Sequence, residues 1–103
     1  ATVTVNVAAS IETVAVARAQ FRFVTPNVSG DWRIEGTGTP GITVTIHTGN
    51  DLTGPIVGTQ LVATDGRWRF QATGSTILPG PTNTISVSTG GGATRLAFPV
   101  VVQ

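Results

Sequence analysis

The chain has 103 residues and a mass of 10.5 kDa, enough for one domain and too little for two. Hydrophobic residues make up 40% and charged residues 11%, a balance that supports a packed core and excludes intrinsic disorder, while the lack of cysteine excludes disulfides, thiol chemistry and cysteine-based zinc sites. Six basic residues against five acidic ones leave a net charge of +1, which excludes a chain dominated by charge of one sign.

The periodicity is that of strands throughout, carried by β-branched Thr, Val and Ile. Residues 2–7 alternate strictly, with Val3, Val5 and Val7 on one face, and residues 8–12 read as a connector. Thr13 to Val24 forms the next strand. Its apolar parity changes from Val14 and Val16 to Ala17, Ala19, Phe21 and Phe23. A one-residue slip flips every side chain to the other face, so a bulge near Val16 to Arg18 is expected. Trp32 and Ile34 alternate with Asp31, Arg33 and Glu35; Ile42, Val44 and Ile46 alternate with Thr43, Thr45 and His47. Ile56 to Ala63 leads into Thr64-Asp65-Gly66, read as a hairpin turn, and on to Trp68 and Phe70. Ile85 and Val87 make the next strand. Gly90-Gly91-Gly92 then turns the chain into Leu96, Phe98, Val100 and Val102, with Pro99 requiring a strand edge. The expected fold is all-β: an immunoglobulin-like antiparallel sandwich of about seven strands over residues 13–103. Residues 1–12 add an N-terminal strand and its connector. The expected core is Trp32, Ile34, Val44, Ile46, Trp68, Phe70, Ile85, Val87 and Phe98.

Residues 34–46, Ile-Glu-Gly-Thr-Gly-Thr-Pro-Gly-Ile-Thr-Val-Thr-Ile, carry a Gly-x-Gly-x-Pro-Gly turn between strands. Val57-Gly58-Thr59 and Asp65-Gly66-Arg67-Trp68 follow it. Over about residues 30–103 this pattern resembles the bacterial immunoglobulin-like (Big-type) domains found in tandem in large surface proteins. In that turn Gly36, Gly38 and Gly41 permit positive φ and Pro40 presets the bend. The resemblance implies the sandwich fold and a cell-surface setting, and it implies no chemistry. The chain departs from animal immunoglobulin domains in lacking both the cysteine pair and the corner tyrosine. The heptad Trp32 to Gly38 also echoes Trp68 to Gly74. Two neighbouring strands that each insert a Trp and display an Arg account for the echo, and antiparallel pairing would set Glu35 across from Arg67 or Arg69.

Catalytic and ligand-binding signatures are sparse. His47 is the only histidine and falls on the polar face of its strand, so neither an imidazole triad nor a multi-His metal site is available. Glu12, Asp31, Glu35, Asp51 and Asp65 are scattered, and Gly49-Asn50-Asp51 falls short of the six to eight or so oxygens that calcium takes. Gly90 to Gly92 lacks the Lys-Thr/Ser of a phosphate loop. No catalytic residue, cofactor or metal is expected. Asn27-Val28-Ser29 matches a glycosylation sequon. All six cations are arginines (Arg18, Arg22, Arg33, Arg67, Arg69, Arg95), and with no Lys, Cys or Tyr one surplus guanidinium holds the pI near 9.4. Phosphate-backbone binding recruits clustered cations, which this balance does not announce, so nucleic acid is not an expected partner. Trp32 and Trp68 share the parity of the core and are not expected to stack on a carbohydrate or a base.

No apolar run reaches the roughly 18–20 residues of a membrane helix. The small residue at position 1 and the absence of methionine fit removal of a signal peptide, and equally a processed fragment. The missing Lys, Cys and Tyr exclude isopeptide, disulfide and dityrosine cross-links, so any assembly is noncovalent. The leading expectation is a non-enzymatic extracellular subunit that polymerises into a fibre or surface layer, with Val3, Val5 and Val7 as a donor strand for a neighbour. The alternative is a spacer or adhesion module from a tandem-repeat surface protein, with neighbouring immunoglobulin-like modules as partners and its carbohydrate or protein ligand open.

Overall fold

The computed structural model describes residues 12–80 and 82–103. The alternating β-branched stretches form eight strands: β1 (Val14–Thr25), β2 (Ser29–Gly38), β3 (Thr43–Thr48), β4 (Ile56–Leu61), β5 (Arg67–Ser75), β6 (Thr84–Thr89), β7 (Thr94–Pro99) and β8 (Val101–Val102). The strand expected at residues 1–7, with Val3, Val5 and Val7, lies outside the described residues. Two four-stranded sheets face each other, ordered β5-β2-β1-β8 and β4-β3-β6-β7. Every pairing is antiparallel except β1 with β8. In immunoglobulin lettering, strands A, B and E oppose C, F and G, with β4 as an added C′ edge.

The parity change in β1 is resolved by a bulge. The β1–β2 register slips between Val16 and Arg18, so Val16, Ala19 and Phe21 all point inward despite their uneven spacing. β2 and β5 pair with a reciprocity that explains the sequence echo. Trp32 lies opposite Ala72, Ile34 opposite Phe70, and Gly36 opposite Trp68. Each indole therefore faces a small residue on the other strand. Both are almost fully buried, and each indole N–H finds a carbonyl: Trp32 Nε1 donates to Ile77 O at 2.9 Å and Trp68 Nε1 to Thr37 O at 3.0 Å. Phe21 packs edge-on against Trp32 with centroids 4.8 Å apart. Val44, Ile46, Ile85 and Val87 close the core from the second sheet with no exposed area.

Four readings need correction. Of the three turn glycines, only Gly41 has positive φ (85°). Gly36 is a strand residue whose role is space: a Cβ there would lie 2.6 Å from the Trp68 ring and clash with the Ala15 carbonyl oxygen. Thr64-Asp65-Gly66 makes a tight turn, with Gly66 N donating to Ala63 O at 2.9 Å, but not a hairpin, because β4 and β5 belong to opposite sheets. The last strand is also two. Val100 donates to Asn83 O and is buried where the chain leaves the second sheet, and β8 then joins the first sheet beside Gln20 and Phe21. Finally, Phe98 is only half-buried against the core and Leu96 is exposed. Ala97, at φ 54°, forms a bulge opposite Ser86, and this breaks the alternation.

Trp68→Ala is expected to lower unfolding free energy by about 3–5 kcal/mol through the cavity it leaves, and Gly36→Ala by about 1–3 kcal/mol through overpacking. Urea unfolding curves check both, and a Trp68→Ala loss below about 1 kcal/mol contradicts the packing described.

Candidate functional site

A sandwich with no helix among its described residues offers partners its strand edges and the loops at its two ends. β7 is a blunted edge: it carries Arg95, the Ala97 bulge and Pro99, which has no N–H to offer. Arg95 lies over the Phe98 ring, 5.2 Å from its centroid. β4, the other edge of the second sheet, is less protected: its register with β3 slips once, between Ile46 and His47. Its six residues, Ile-Val-Gly-Thr-Gln-Leu, include no proline and no charge, and Ile56 and Leu61 are more than half exposed. Gly58 holds this edge close to the core, since the Phe70 ring occupies the place a Cβ would take.

One end of the sandwich is organised by Glu12. Its Oε1 accepts hydrogen bonds from Thr89 Oγ1 at 2.6 Å and from Gly91 N at 2.9 Å. Thr89 Oγ1 in turn accepts from Ala93 N. The triple-glycine turn between β6 and β7 is thus fastened to Glu12, two residues before β1. Sequence reasoning placed Glu12 in a plain connector, and no local signal could have done better, because its partners lie 77 and 79 positions away.

At the opposite end the β3–β4 loop is held internally. Asp51 Oδ1 accepts from Thr53 Oγ1 at 2.6 Å and from Thr53 N at 2.9 Å. The hydroxyl bond first, then the amide bond, holds this carboxyl below its ordinary range. His47 is half-buried on the β3 polar face, and its Nδ1–H donates to Gly54 O at 3.0 Å. Ser86, fully buried, donates to Gly49 O and accepts from Ala97 N, joining this loop to the β7 bulge. Asn27 is exposed at φ 61° in the β1–β2 turn. Among the described residues no three His, Asp or Glu side chains converge, and both indoles are buried away from any stacking surface.

Five of the six arginines share one face. Arg18, Arg22, Arg33, Arg67 and Arg69 all project from the outer face of the first sheet, where the registers set Arg18 beside Glu35, Arg22 beside Asp31, and Glu35 beside Arg69. Cations that look dispersed along the chain are gathered by the fold. Arg69 Nε pairs with Glu35 Oε2 at 3.5 Å, an exposed contact worth about 0.2–1 kcal/mol.

No protein family, curated protein or solved structure matches this chain. Its geometry therefore carries the functional reading.

Glu12→Ala is expected to strip the Gly91 amide of its protection in hydrogen-exchange NMR while leaving the core amides protected; unchanged Gly91 exchange contradicts the clamp. The Asp51 carboxyl is expected to titrate below the ordinary aspartate value of about 3.9, and Thr53→Ala to return it upward. A group depressed in this way contributes stability above its unfolded pKa and loses it as pH falls through the folded one, so the effect belongs to acid below about pH 4. Carboxyl-carbon NMR titration reads it directly.

Proposed function

We propose that this chain is a non-enzymatic structural subunit, an immunoglobulin-like module that joins others in series outside the cell by noncovalent strand addition. The observation that carries this reading is the uncharged, proline-free β4 edge. Among the described residues its six residues pair only with β3, with exposed Ile56 and Leu61 at its two ends. Residues 1–7 are a complement of similar length, with Val3, Val5 and Val7 alternating on one face. Pairing along a neighbour's β4 would extend the second sheet through main-chain hydrogen bonds, with the valines adding apolar contact. Donor and acceptor are different surfaces, so such a contact propagates head to tail rather than closing a dimer. The extracellular, bacterial-surface setting rests on the resemblance over residues 30–103.

The course of the chain suits serial assembly. β1 begins at the end closed by Glu12 and the β6–β7 turn, and β8 runs parallel to β1, so the chain proceeds toward the other end. The same course favours a second reading, a spacer or adhesion module within a tandem surface protein, in which residues 1–7 belong with the module before it.

Analytical ultracentrifugation of the intact chain and of a variant lacking residues 1–7 separates these readings. Strand addition predicts oligomers from the intact chain, folded monomers after deletion, and rebinding of a peptide of residues 1–7 that is lost when Val5 becomes Asp. An intact chain that stays monomeric at micromolar concentration, with no peptide binding after deletion, removes strand addition and leaves the tandem module.

A further inference from the structure

The outer face of the first sheet has a charge the whole chain conceals. Five arginines stand against Asp31 and Glu35, a surplus of three positive charges on one face, whereas the whole chain carries only +1. All five arginines are exposed, and among the described residues only Arg69 forms an ion pair. Beside Arg22 and Arg33 the sheet surface dips into a depression of about 270 Å³, whose lining also includes Gln20, Asp31, Gln71 and Thr73. That volume lies just under the range of small-molecule pockets, about 300–1,000 Å³, and suits one sugar-sized ring lying on the sheet.

The side chains around the depression indicate what it recognises. Guanidinium groups bind carboxylates through paired, parallel hydrogen bonds. Gln20 and Gln71, which flank Arg33 across the ladder, offer amide donors and acceptors. Asp31, whose Oδ1 already accepts from Gly74 N at 3.1 Å, keeps a second oxygen that can accept from hydroxyl groups. A polymer of phosphates fits less well, because its backbone offers Asp31 few hydroxyl donors and both tryptophans are buried, leaving no ring on which a base could stack. A chain rich in hydroxyls with a carboxylate on its rings satisfies every group named. We infer that this face binds a uronic-acid polysaccharide, with one uronate held between Arg22 and Arg33 and the chain continuing toward Arg18 and Arg69. This site lies on a sheet face and makes no use of the β4 edge, so it stands or falls separately from strand addition.

Equilibrium dialysis of a fluorescently labelled oligogalacturonate against the intact protein tests it and works equally for monomer and polymer. Saturable binding is expected, weakening as salt screens the charges. The double variant R22Q/R33Q should lose at least tenfold in affinity with its thermal midpoint unchanged, because both side chains are exposed. R95Q, which removes the same kind of charge from the other sheet, should bind like the parent. Absence of binding, equal losses in R95Q and R22Q/R33Q, or tighter binding of a duplex DNA of matched charge would each overturn the assignment.

Discussion

The pairing of β2 with β5 is the constraint on which the rest of the structure depends. Each of the two tryptophans on these adjacent strands is set across from a small residue. Trp68 fills the space left by Gly36 and Trp32 lies across from Ala72, with Ile34 and Phe70 paired between them. This register lets both rings enter one core, and it carries each N–H to a backbone carbonyl, Trp32 to Ile77 just beyond β5 and Trp68 to Thr37 of β2. A sandwich of this size without a disulfide relies on such packing, since no covalent link joins the sheets.

Fixing the inner face also fixes the outer one. In a strand, successive side chains point to opposite faces, so a register that buries Trp32, Ile34 and Gly36 must expose Asp31, Arg33 and Glu35. The same operation on β5 exposes Arg67, Arg69 and Gln71. β1 contributes Arg18, Gln20 and Arg22 to that face only because its bulge shifts the alternation by one position. Without it, the two halves of β1 could not both keep their apolar residues inside. The arginine face is thus a consequence of the core, and the bulge between Val16 and Arg18 aligns its third row.

The edges show a contrast of a different kind. β7 combines a charge, a positive-φ bulge and a proline, three separate obstacles to edge-to-edge pairing. β4 carries no charge, no proline and no positive-φ residue, only one register slip against β3, and it is anchored from behind by the Phe70 ring against Gly58. A chain that guards one edge of a sheet more heavily than the other has two unequal sides. That inequality is what a directional, head-to-tail contact requires.

By itself the sequence determined the all-β class, the positions of most of the described strands, the inward tryptophans, the bulge near Val16 and the facing of Glu35 toward Arg67 or Arg69. These follow from local alternation, which reports which face of a strand is buried. Alternation does not report which strand lies beside which, so the turn at Asp65 looked like a hairpin although it crosses between sheets. It also could not place Phe98, whose burial is set by the Ala97 bulge against Ser86, or find the Glu12 clamp, whose partners are most of the chain away. The clustering of five arginines was hidden for the same reason: net charge sums over the chain, whereas a charged face is made by register between strands. Only the tertiary structure, which turns distant positions into neighbours about 4.8 Å apart across a ladder, could decide those points.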